Sequence, residues 1–578
     1  MAESSATTTQ SSTFTSVAHG WLRTLPAFRD MVWPLLAYVV ATFATRSYFM
    51  GDTIDYADSI AARFSGRDYY FWEFGHLLWR PFGYLIFKIF HPLLISFAPD
   101  TRSQATLVLM VLSWLAGLLS VVSLNCILTR FCRKRWVPIV TTIAFVCALS
   151  FLNYFHSGTP YIPGLSLVLL SLCILNTANP AEPVSLKRSL VAAAALAGAV
   201  CTWLPYVIVT PAVVLSTGFL YGFDKRRFAV AIQTLVAAGV LTLIVYLAVC
   251  LQIGVHTPGE FKAWISLTSG NAASTVNKGV AKTVFGFARA FVNMENEGVL
   301  FKRYLRHDPF NPVSIFDLAR LSFWKILGFY LFLAVTIVSL LTFSRGRRVL
   351  ALLAVAGIPA LAFAVYWQGG DPERYLALFP FLMLAVAISL DENKHPALTY
   401  PILFFLIGAS VFNVVQLASP RLNRQQESSA SRVRELLPQL KPDSLVIAAN
   451  WQDSLINFYR SFPFDPVNRN ENLHLASVIT PGASDVPQWR EGFLKTVEST
   501  WNKGGDIWLS KRLFASRPQP EWNWVEGDDP RISWTDLYEL FSQLQTGQSA
   551  GGEDGFVLLL SSEQNKEVLR KSAQRIPQ

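Results

Sequence analysis

The chain has 578 residues, of which 52% are hydrophobic and 15% charged, and its mean hydropathy is +0.35. This balance excludes an ordinary soluble globular protein and indicates a polytopic membrane protein. The net charge of +10 does not indicate nucleic-acid binding, because the basic residues form short clusters between apolar spans. The six cysteines lie in or beside those spans without metal-ligand spacing, so we expect no disulfides and no thiol chemistry.

The chain begins with a Ser/Thr-rich segment. Residues 1–20 have little apolar surface to bury and are predicted to be a disordered cytoplasmic tail. Arg23 and Arg29 precede the first apolar span, which places the N-terminus in the cytoplasm. The chain then reaches the opposite side of the membrane at about Asp52.

The topology depends on an apolar stretch, residues 81–98, inside the first outer loop, residues 51–103. If this stretch does not cross, the basic clusters that begin at Arg130, Lys187 and Lys225 all face the cytoplasm, as the positive-inside rule requires. If it crosses, all three face outward. We therefore predict a helix that lies in the outer membrane interface.

Eleven spans and an outer C-terminus follow, within a transmembrane domain over residues 21–419. A second large outer segment, 253–320, is basic, but a loop of this length escapes the charge rule. The predicted spans are 31–49, 105–129, 137–155, 160–176, 189–204, 205–221, 229–252, 323–343, 349–367, 375–390 and 399–418.

Residues 420–578 have the composition of a soluble domain. Short apolar runs that suit buried strands alternate with helical stretches, which predicts one small extracytoplasmic α/β domain. The predicted strands are 444–449, 506–510 and 555–561, and the predicted helices are 451–462 and 534–546. The whole chain contains no Gly-rich phosphate loop or nucleotide fingerprint, so an enzyme of this sequence would not use a nucleotide-sugar site.

Two acids and a tyrosine lie at the outer mouth of the first span. Asp52 and Asp55 are three residues apart and Tyr56 is four from Asp52, so the three share one face of a helical turn. A carboxylate here could accept the proton of an attacking hydroxyl, which is general-base catalysis. The alternative is that the acids only cap a loop helix.

Five residues of the first outer loop and a late span are candidates to bind a substrate phosphate or sugar: Tyr56, His76, Arg80, Arg374 and Tyr375. His76 and Arg80 lie in an aromatic run of the first outer loop, where they could act near Asp52 or be ordinary interfacial residues. Arg374, followed by Tyr375, lies at the outer mouth of a late span. Its guanidinium could bind a phosphate bidentately or serve as a snorkelling anchor.

The second outer segment is rich in basic residues. Arg303 and Arg306 are its candidate ligands for a lipid phosphate, together with Lys278, Lys282 and His307 as weaker candidates. The alternative for each is a solvated basic surface.

These features together resemble the C-type (GT-C) glycosyltransferases, and within them family 39, the protein O-mannosyltransferase and aminoarabinose transferase group. The resemblance covers about residues 20–420, mostly as architecture. Its motifs are Gly51-Asp-Thr-Ile-Asp-Tyr56, His76 with a following Pro81, and Arg374-Tyr375. The sequence departs from the family pattern in two places. Family 39 usually has an Asp-Glu pair, whereas here Thr53 follows Asp52. The family's His-Pro-Pro motif is replaced here by His76-Leu-Leu-Trp-Arg-Pro81.

The resemblance implies an α-helical membrane enzyme that transfers a sugar from a polyprenyl-phosphate carrier to an acceptor outside the cytoplasm, with inversion. It implies Asp52 as the general base, and Asp55 could supply a second carboxylate. It implies no nucleotide and no obligatory metal, with a divalent cation left open. The implied partners are the lipid-linked donor, membrane lipid and an acceptor that is a protein, a lipid or a glycan.

Two other classes of function remain open. A transporter or flippase of a lipid-linked saccharide would carry ionisable residues at mid-membrane, whereas these spans have almost none. A non-catalytic envelope assembly protein would use the outer domain to bind a partner. We expect a bacterial inner membrane, because the long outer segments lack cysteines.

Overall fold

The computed structural model describes most of the chain. The described residues are 28–47, 52–67, 71–98, 100–176, 184–269, 276–294, 297–421, 431, 434–448, 474–478, 489–527, 532–552 and 555–574. The predicted tail at 1–20, the predicted helix at 451–462 and the side chain of Lys278 lie outside them.

Helices dominate the first 421 residues. In chain order they are α1 (Phe28–Ala44), α2 (Thr53–Phe64), α3 (Trp79–Leu94), α4 (Thr101–Phe131), α5 (Trp136–Cys147), α6 (Leu149–Tyr154), α7 (Tyr161–Asn176), α8 (Leu186–Thr202), α9 (Thr210–Tyr221), α10 (Lys225–Ile253), α11 (Pro258–Ser269), α12 (Val276–Phe291), α13 (Glu297–Arg306), α14 (Ile315–Leu318), α15 (Trp324–Leu341), α16 (Ser344–Tyr366), α17 (Phe379–Glu392) and α18 (Pro396–Gln416). Short 3-10 turns at Phe74–His76, Leu204–Val209 and Pro372–Leu378 precede α3, α9 and α17.

Within the described ranges, seven stretches are long and apolar enough to cross a membrane. They are Thr101–Phe131, Leu204–Tyr221, Lys225–Ile253, Ile315–Leu341, Ser344–Tyr366, Pro372–Glu392 and Pro396–Gln416. Two shorter helices, α5 and α7, are also apolar. Each of the eleven predicted spans coincides with helical residues. The chain is therefore an integral membrane protein, and the number of crossings stays a prediction.

Local sequence explains where the long helices begin and end. The Asp100 carboxylate accepts a hydrogen bond of 2.8 Å from the Ser103 amide at the start of α4. Asp224 caps α10 in the same way, through a bond of 2.7 Å from the amide of Arg227. α10 ends at Ile253 and is capped by Gly254, whose φ of 73° is the left-handed conformation that glycine adopts without steric cost.

The buried centre of the bundle is the stretch Pro372–Glu392. Its most apolar window is 94% buried, whereas that of Pro396–Gln416 is only 17% buried. α17 packs against α5, α15 and α16. Pro372–Glu392 is thus surrounded by protein, whereas α18 presents most of its surface to the outside of the bundle.

α3 covers most of the apolar stretch whose topology was uncertain. It runs from Trp79 to Leu94 and is shorter than the helices that can cross a membrane. Its exposed side chains are largely apolar and include Phe82, Leu85 and Ile89. This amphipathic helix fits the predicted position in the interface, and its place in a membrane remains a prediction.

Backbone pairing joins the C-terminal ends of α1 and α18. Thr45 pairs with Ala418 in an isolated antiparallel bridge. The amide of Arg46 donates to the carbonyl of Leu417 at 3.0 Å. The segment that leads to Asp52 is therefore held next to the segment that leads to the C-terminal domain.

The C-terminal part forms a five-stranded mixed sheet. Its strands are β1 (Leu445–Ala448), β2 (His474–Ser477), β3 (Ile507–Ser510), β4 (Thr546–Ala550) and β5 (Phe556–Leu559). Their order is β2-β1-β3-β5-β4, with β1 parallel to both neighbours and β5 antiparallel to both of its own. α19 (Trp489–Asn502), α20 (Trp534–Phe541) and α21 (Glu563–Ala573) accompany the sheet.

The three predicted strands correspond to β1, β3 and β5. The predicted helix over 534–546 is too long, because α20 ends at Phe541 and Thr546 already begins β4. Gly547, a weak helix former, lies in this strand, whose backbone pairs with β5. The prediction of a small α/β fold is otherwise consistent with the described strands and helices.

Candidate active site

α2 places the first acid and the tyrosine of the outer loop in different environments. Asp52 is exposed at the N-cap position of α2, and its side chain makes no capping hydrogen bond, which disfavours the capping alternative. Tyr56, one turn later, is only 1% exposed. Between them, Thr53 donates a hydrogen bond to the carbonyl of Ser157 and so ties the start of α2 to the loop before α7.

Tyr56 belongs to a compact polar cluster with three groups from residues 73–80. Glu73 is its centre: one carboxylate oxygen lies 3.1 Å from Nδ1 of His76 and 2.5 Å from Nη1 of Arg80. The Arg80 guanidinium also lies 4.8 Å from the centre of the Tyr56 ring. The Tyr56 hydroxyl is 3.5 Å from Nδ1 of His76. The structure thus brings Tyr56, His76 and Arg80 together, and their contact with a substrate stays a prediction.

The charges in this cluster are fixed by its neighbours. Burial alone would raise the pKa of Glu73, but the positive charges and hydrogen bonds of His76 and Arg80 outweigh it and lower that pKa to about 2. Burial, followed by the negative charge of Asp52, raises the pKa of Tyr56 well above its ordinary value. Glu73 is therefore ionised and Tyr56 neutral at any physiological pH.

Arg374 lies in the turn that precedes α17, largely buried. It donates to the side-chain oxygen of Gln368, and its guanidinium lies 5.8 Å from the ring of Trp203. Its Nε is buried with no hydrogen-bond partner in the described part of the chain. The preceding Glu373 accepts a hydrogen bond of 2.6 Å from the hydroxyl of Tyr154. The Nε–H group of Arg374 is thus a buried hydrogen-bond donor for which no described residue is the acceptor.

Tyr161, at the start of α7, joins this turn to the first outer loop. Its ring lies 4.9 Å from that of Trp203 and 6.4 Å from that of His76. The turn that carries Arg374 and the cluster around Glu73, which are far apart in sequence, are therefore linked through the rings of Trp203 and Tyr161.

Two other candidates lie close by without joining the cluster. Asp55 is exposed, and its charge acts on Asp58 further along α2. Tyr375 is fully buried, and its hydroxyl donates to the carbonyl of Gly369 at 2.5 Å, with the carbonyl of Thr283 at 3.1 Å. The predicted substrate contact of Tyr375 is not supported, because backbone carbonyls occupy its hydroxyl. It instead holds the turn that carries Arg374.

The structure does not bring Arg303 to the cluster. This residue of α13 is 3% exposed and donates to the carbonyl oxygens of Pro520 at 2.7 Å and Trp524 at 3.2 Å. Its Nε also lies 3.8 Å from the Asp308 carboxylate. The proposed phosphate contact of Arg303 is therefore replaced by a structural role between α13 and the C-terminal domain. Arg306, one turn later in α13, is exposed.

Sequence reasoning missed several residues of the candidate site. Glu73 and Glu373 lie close in sequence to the predicted residues His76 and Arg374, and this proximity is the signal that could have identified them. The aromatic members lie at the ends of apolar helices, where such residues usually only pack. The missed residues are Glu73, Tyr154, Tyr161, Trp203 and Glu373.

As far as the described ranges extend, no group of three or more His, Cys, Asp or Glu side chains is arranged to hold a metal ion.

Comparisons with known proteins support the fold. No protein-family model and no curated protein sequence matches the chain. ArnT from Cupriavidus metallidurans in the apo state is similar in structure, with a TM-score of 0.52 and 13% identity over 96% of this chain and 99% of that chain. The same protein bound to undecaprenyl phosphate also has a TM-score of 0.52, with 13% identity over 94% and 99%. The oligosaccharyltransferase of Archaeoglobus fulgidus has a TM-score of 0.46, with 12% identity over 92% and 74%.

Proposed function

We propose that this chain, which has the C-type glycosyltransferase fold, transfers a sugar from a polyprenyl-phosphate donor to an acceptor hydroxyl outside the cytoplasm. The likeness to ArnT confirms the predicted fold. The narrower assignment to family 39 stays a prediction. Undecaprenyl phosphate is bound in a structure of ArnT, which supports a polyprenyl phosphate as the carrier here.

The observation that carries the proposal is a chain of side-chain contacts that runs from Arg374 through Trp203 and Tyr161 to His76 and Tyr56, and Tyr56 lies one helical turn from Asp52. A sugar transfer of this kind needs a base for the acceptor hydroxyl and a positive charge for the departing phosphate. Asp52 is an exposed carboxylate with no capping bond, and Arg374 has a buried Nε without a partner in the described residues. One donor molecule between them would meet both requirements.

The reaction follows from these two roles. Asp52 removes the proton of the acceptor hydroxyl, and the oxygen attacks the anomeric carbon from the face opposite the phosphate. The new carbon–oxygen bond forms as the bond to the phosphate oxygen breaks, so the configuration inverts. The polyprenyl phosphate leaves with the bonding electrons, and the Arg374 guanidinium stabilises its negative charge.

The cluster around Glu73 would bind the sugar. A carboxylate only accepts hydrogen bonds, so Nδ1 of His76 carries the hydrogen that faces Glu73. Its Nε2 is buried with no hydrogen-bond partner among the described residues. A sugar hydroxyl both donates and accepts, so His76 can hydrogen-bond it through Nε2, while Arg80, paired with Glu73, lies over the ring of Tyr56 beside it.

The test is turnover by the purified full chain in lipid vesicles that contain a panel of polyprenyl-phosphate sugars. We expect one donor to be consumed and the product to have inverted configuration. Asp52→Asn should reduce the rate by about 100-fold to 10,000-fold, the usual contribution of a positioned general base.

Asp55→Asn is the matched control, because it removes the same charge one turn away on the same helix. We expect it to keep most of the activity, since Asp55 lies beside Asp58 and outside the cluster. Near-normal turnover by Asp52→Asn would remove Asp52 from the reaction. Failure of every donor, with lipid binding intact in both proteins, would instead favour a transporter or an assembly protein.

A further inference from the structure

Four arginines converge at the end of the bundle opposite the polar cluster around Glu73. The central stretch Pro372–Glu392 is about 30 Å long at 1.5 Å per residue, with Arg374 near its start. At its other end, Glu392 accepts a hydrogen bond of 2.6 Å from Arg345. The surroundings of Arg345 therefore lie about one membrane thickness from the candidate active site.

The arginines gather around the end of α9. Arg227 donates to the carbonyl oxygens of Tyr221 at 3.1 Å and Gly222 at 2.8 Å. Arg130 faces the hydroxyl of Tyr221. Nη1 of Arg348 lies 3.7 Å from the point that a β-carbon on Gly222 would occupy. Three guanidinium groups from three helices thus surround two consecutive residues.

Arg345 adds the fourth positive charge through an aromatic neighbour. It donates to the carbonyl of Phe131 at 2.9 Å, and its guanidinium lies 5.7 Å from the centre of the Phe131 ring. That ring lies 5.3 Å from the ring of Tyr221. The four arginines, from α4, α10 and α16, therefore belong to one cluster.

Carboxylates balance only half of this charge. Arg345 is paired with Glu392, and Arg227 lies 3.2 Å from Asp224. Arg130 and Arg348 have no carboxylate within 4.0 Å in the described part of the chain. Basic residues are common on the cytoplasmic side of membrane proteins, but here two arginines without a carboxylate lie beside two paired ones, which leaves a local positive charge that favours a bound anion.

We propose that Arg130, Arg227, Arg345 and Arg348 form a binding site for a phosphate group. Guanidinium groups bind phosphate bidentately, and basic pockets between membrane helices bind anionic lipid headgroups. Phe223 and Phe228, 56% and 55% exposed, flank Asp224 and present apolar surface at the same level. A phospholipid would satisfy both features, since its phosphate meets the arginines and its acyl chains meet the phenylalanines.

The test is a lipid titration of the full chain in detergent micelles that contain phosphatidylcholine. Dioleoyl phosphatidylglycerol is added, and the apparent affinity is read from the rise in thermal unfolding temperature. Arg130→Gln with Arg348→Gln is the informative variant, because neither substitution leaves a carboxylate unpaired. We expect its affinity to fall by about 30-fold, since each basic side chain at a membrane surface contributes roughly a fivefold factor.

The double variant Lys187→Gln with Arg188→Gln is the matched control, because it removes two positive charges from the start of α8, outside the cluster. It should bind phosphatidylglycerol like the wild type. Equal losses in the two double variants, or no preference for phosphatidylglycerol over phosphatidylcholine, would overturn the proposal.

A titration with inorganic phosphate distinguishes a soluble phosphate from a lipid headgroup as the ligand of this site. If millimolar phosphate protects the wild type as well as the lipid does, and the Arg130/Arg348 variant loses this protection, the site takes a soluble phosphate. If only the lipid protects, the ligand is a headgroup. Arg348→Gln alone, at an exposed position, keeps the test valid if the double variant does not fold. A wild-type affinity in that single variant would count against the site.

Discussion

Two buried arginines, one in the turn before α17 and one in α13, differ in what surrounds them. Arg303 donates to two carbonyl oxygens of the C-terminal domain and lies beside Asp308. Arg374 also lies near a carboxylate, 4.0 Å from Glu373, but it has one side-chain amide as its hydrogen-bond partner and a buried Nε with none in the described residues. The donors of Arg303 are used within the protein, whereas the unused donor of Arg374 supports its proposed contact with a ligand.

The largest difference is expected from Arg374→Ala. Loss of one preorganised positive group at a reacting phosphate reduces turnover by about 100-fold to 1,000-fold. We expect a loss of this size in kcat/KM, measured with the lipid-linked donor in vesicles. Arg374→Lys should recover part of it, because lysine keeps the charge without the bidentate geometry. An unchanged donor affinity and rate in Arg374→Ala would remove this residue from the site.

Arg303→Gln should affect stability and leave donor binding unchanged. Breaking a buried ion pair costs about 3–5 kcal/mol, because the remaining carboxylate of Asp308 stays buried without its partner. Hydrogen exchange of the full chain should therefore show faster exchange in the C-terminal domain. The comparison of the two arginines fails if this variant raises the KM for the donor while exchange stays as in the wild type.

Glu73→Gln tests the charge at the centre of the cluster. The folded pKa of Glu73, about 2, lies below its unfolded value, so its stabilisation is complete above about pH 4.5 and is lost as the pH falls toward 2. A shift of this size corresponds to about 3 kcal/mol. The difference in unfolding temperature between wild type and variant should shrink as the pH falls below 5. A difference that grows on acidification would contradict the assignment of an ionised Glu73.

Tyr375→Phe is expected to have the smallest effect. It removes the hydroxyl that faces two backbone carbonyls, a change worth roughly 1 kcal/mol, and should raise the KM for the donor a few-fold while kcat stays near normal. Such a split is expected of a residue that positions Arg374. A large fall in kcat would mean that Tyr375 contacts the reacting groups after all.

Much of the fold could be predicted from the sequence, because its strongest signal is local. Each apolar span corresponds to helical residues, and the strand predictions near residues 445, 507 and 556 were close to the observed bounds. The end of α20 was missed, because strand pairing with β5 overrides the helical pattern there.

The site was less predictable, because its members meet through tertiary contacts. Asp52, His76 and Arg374 could be singled out as ionisable residues at the predicted membrane surface, and their roles stay predictions. Tyr161 and Trp203 resemble ordinary packing residues until the helices are assembled. The Arg303 prediction failed because its partners, the carbonyls of Pro520 and Trp524, carry no signal in a side-chain pattern.

The central claim is that Asp52 acts as the base on a donor whose phosphate Arg374 holds. The most direct measurement is the rate of a single sugar transfer from donor that is already bound to the protein, compared between Asp52→Asn and the wild type. We predict unchanged donor binding with a rate about 100-fold to 10,000-fold lower. A rate within a few-fold of the wild type would show that another group is the base and would contradict the proposed mechanism.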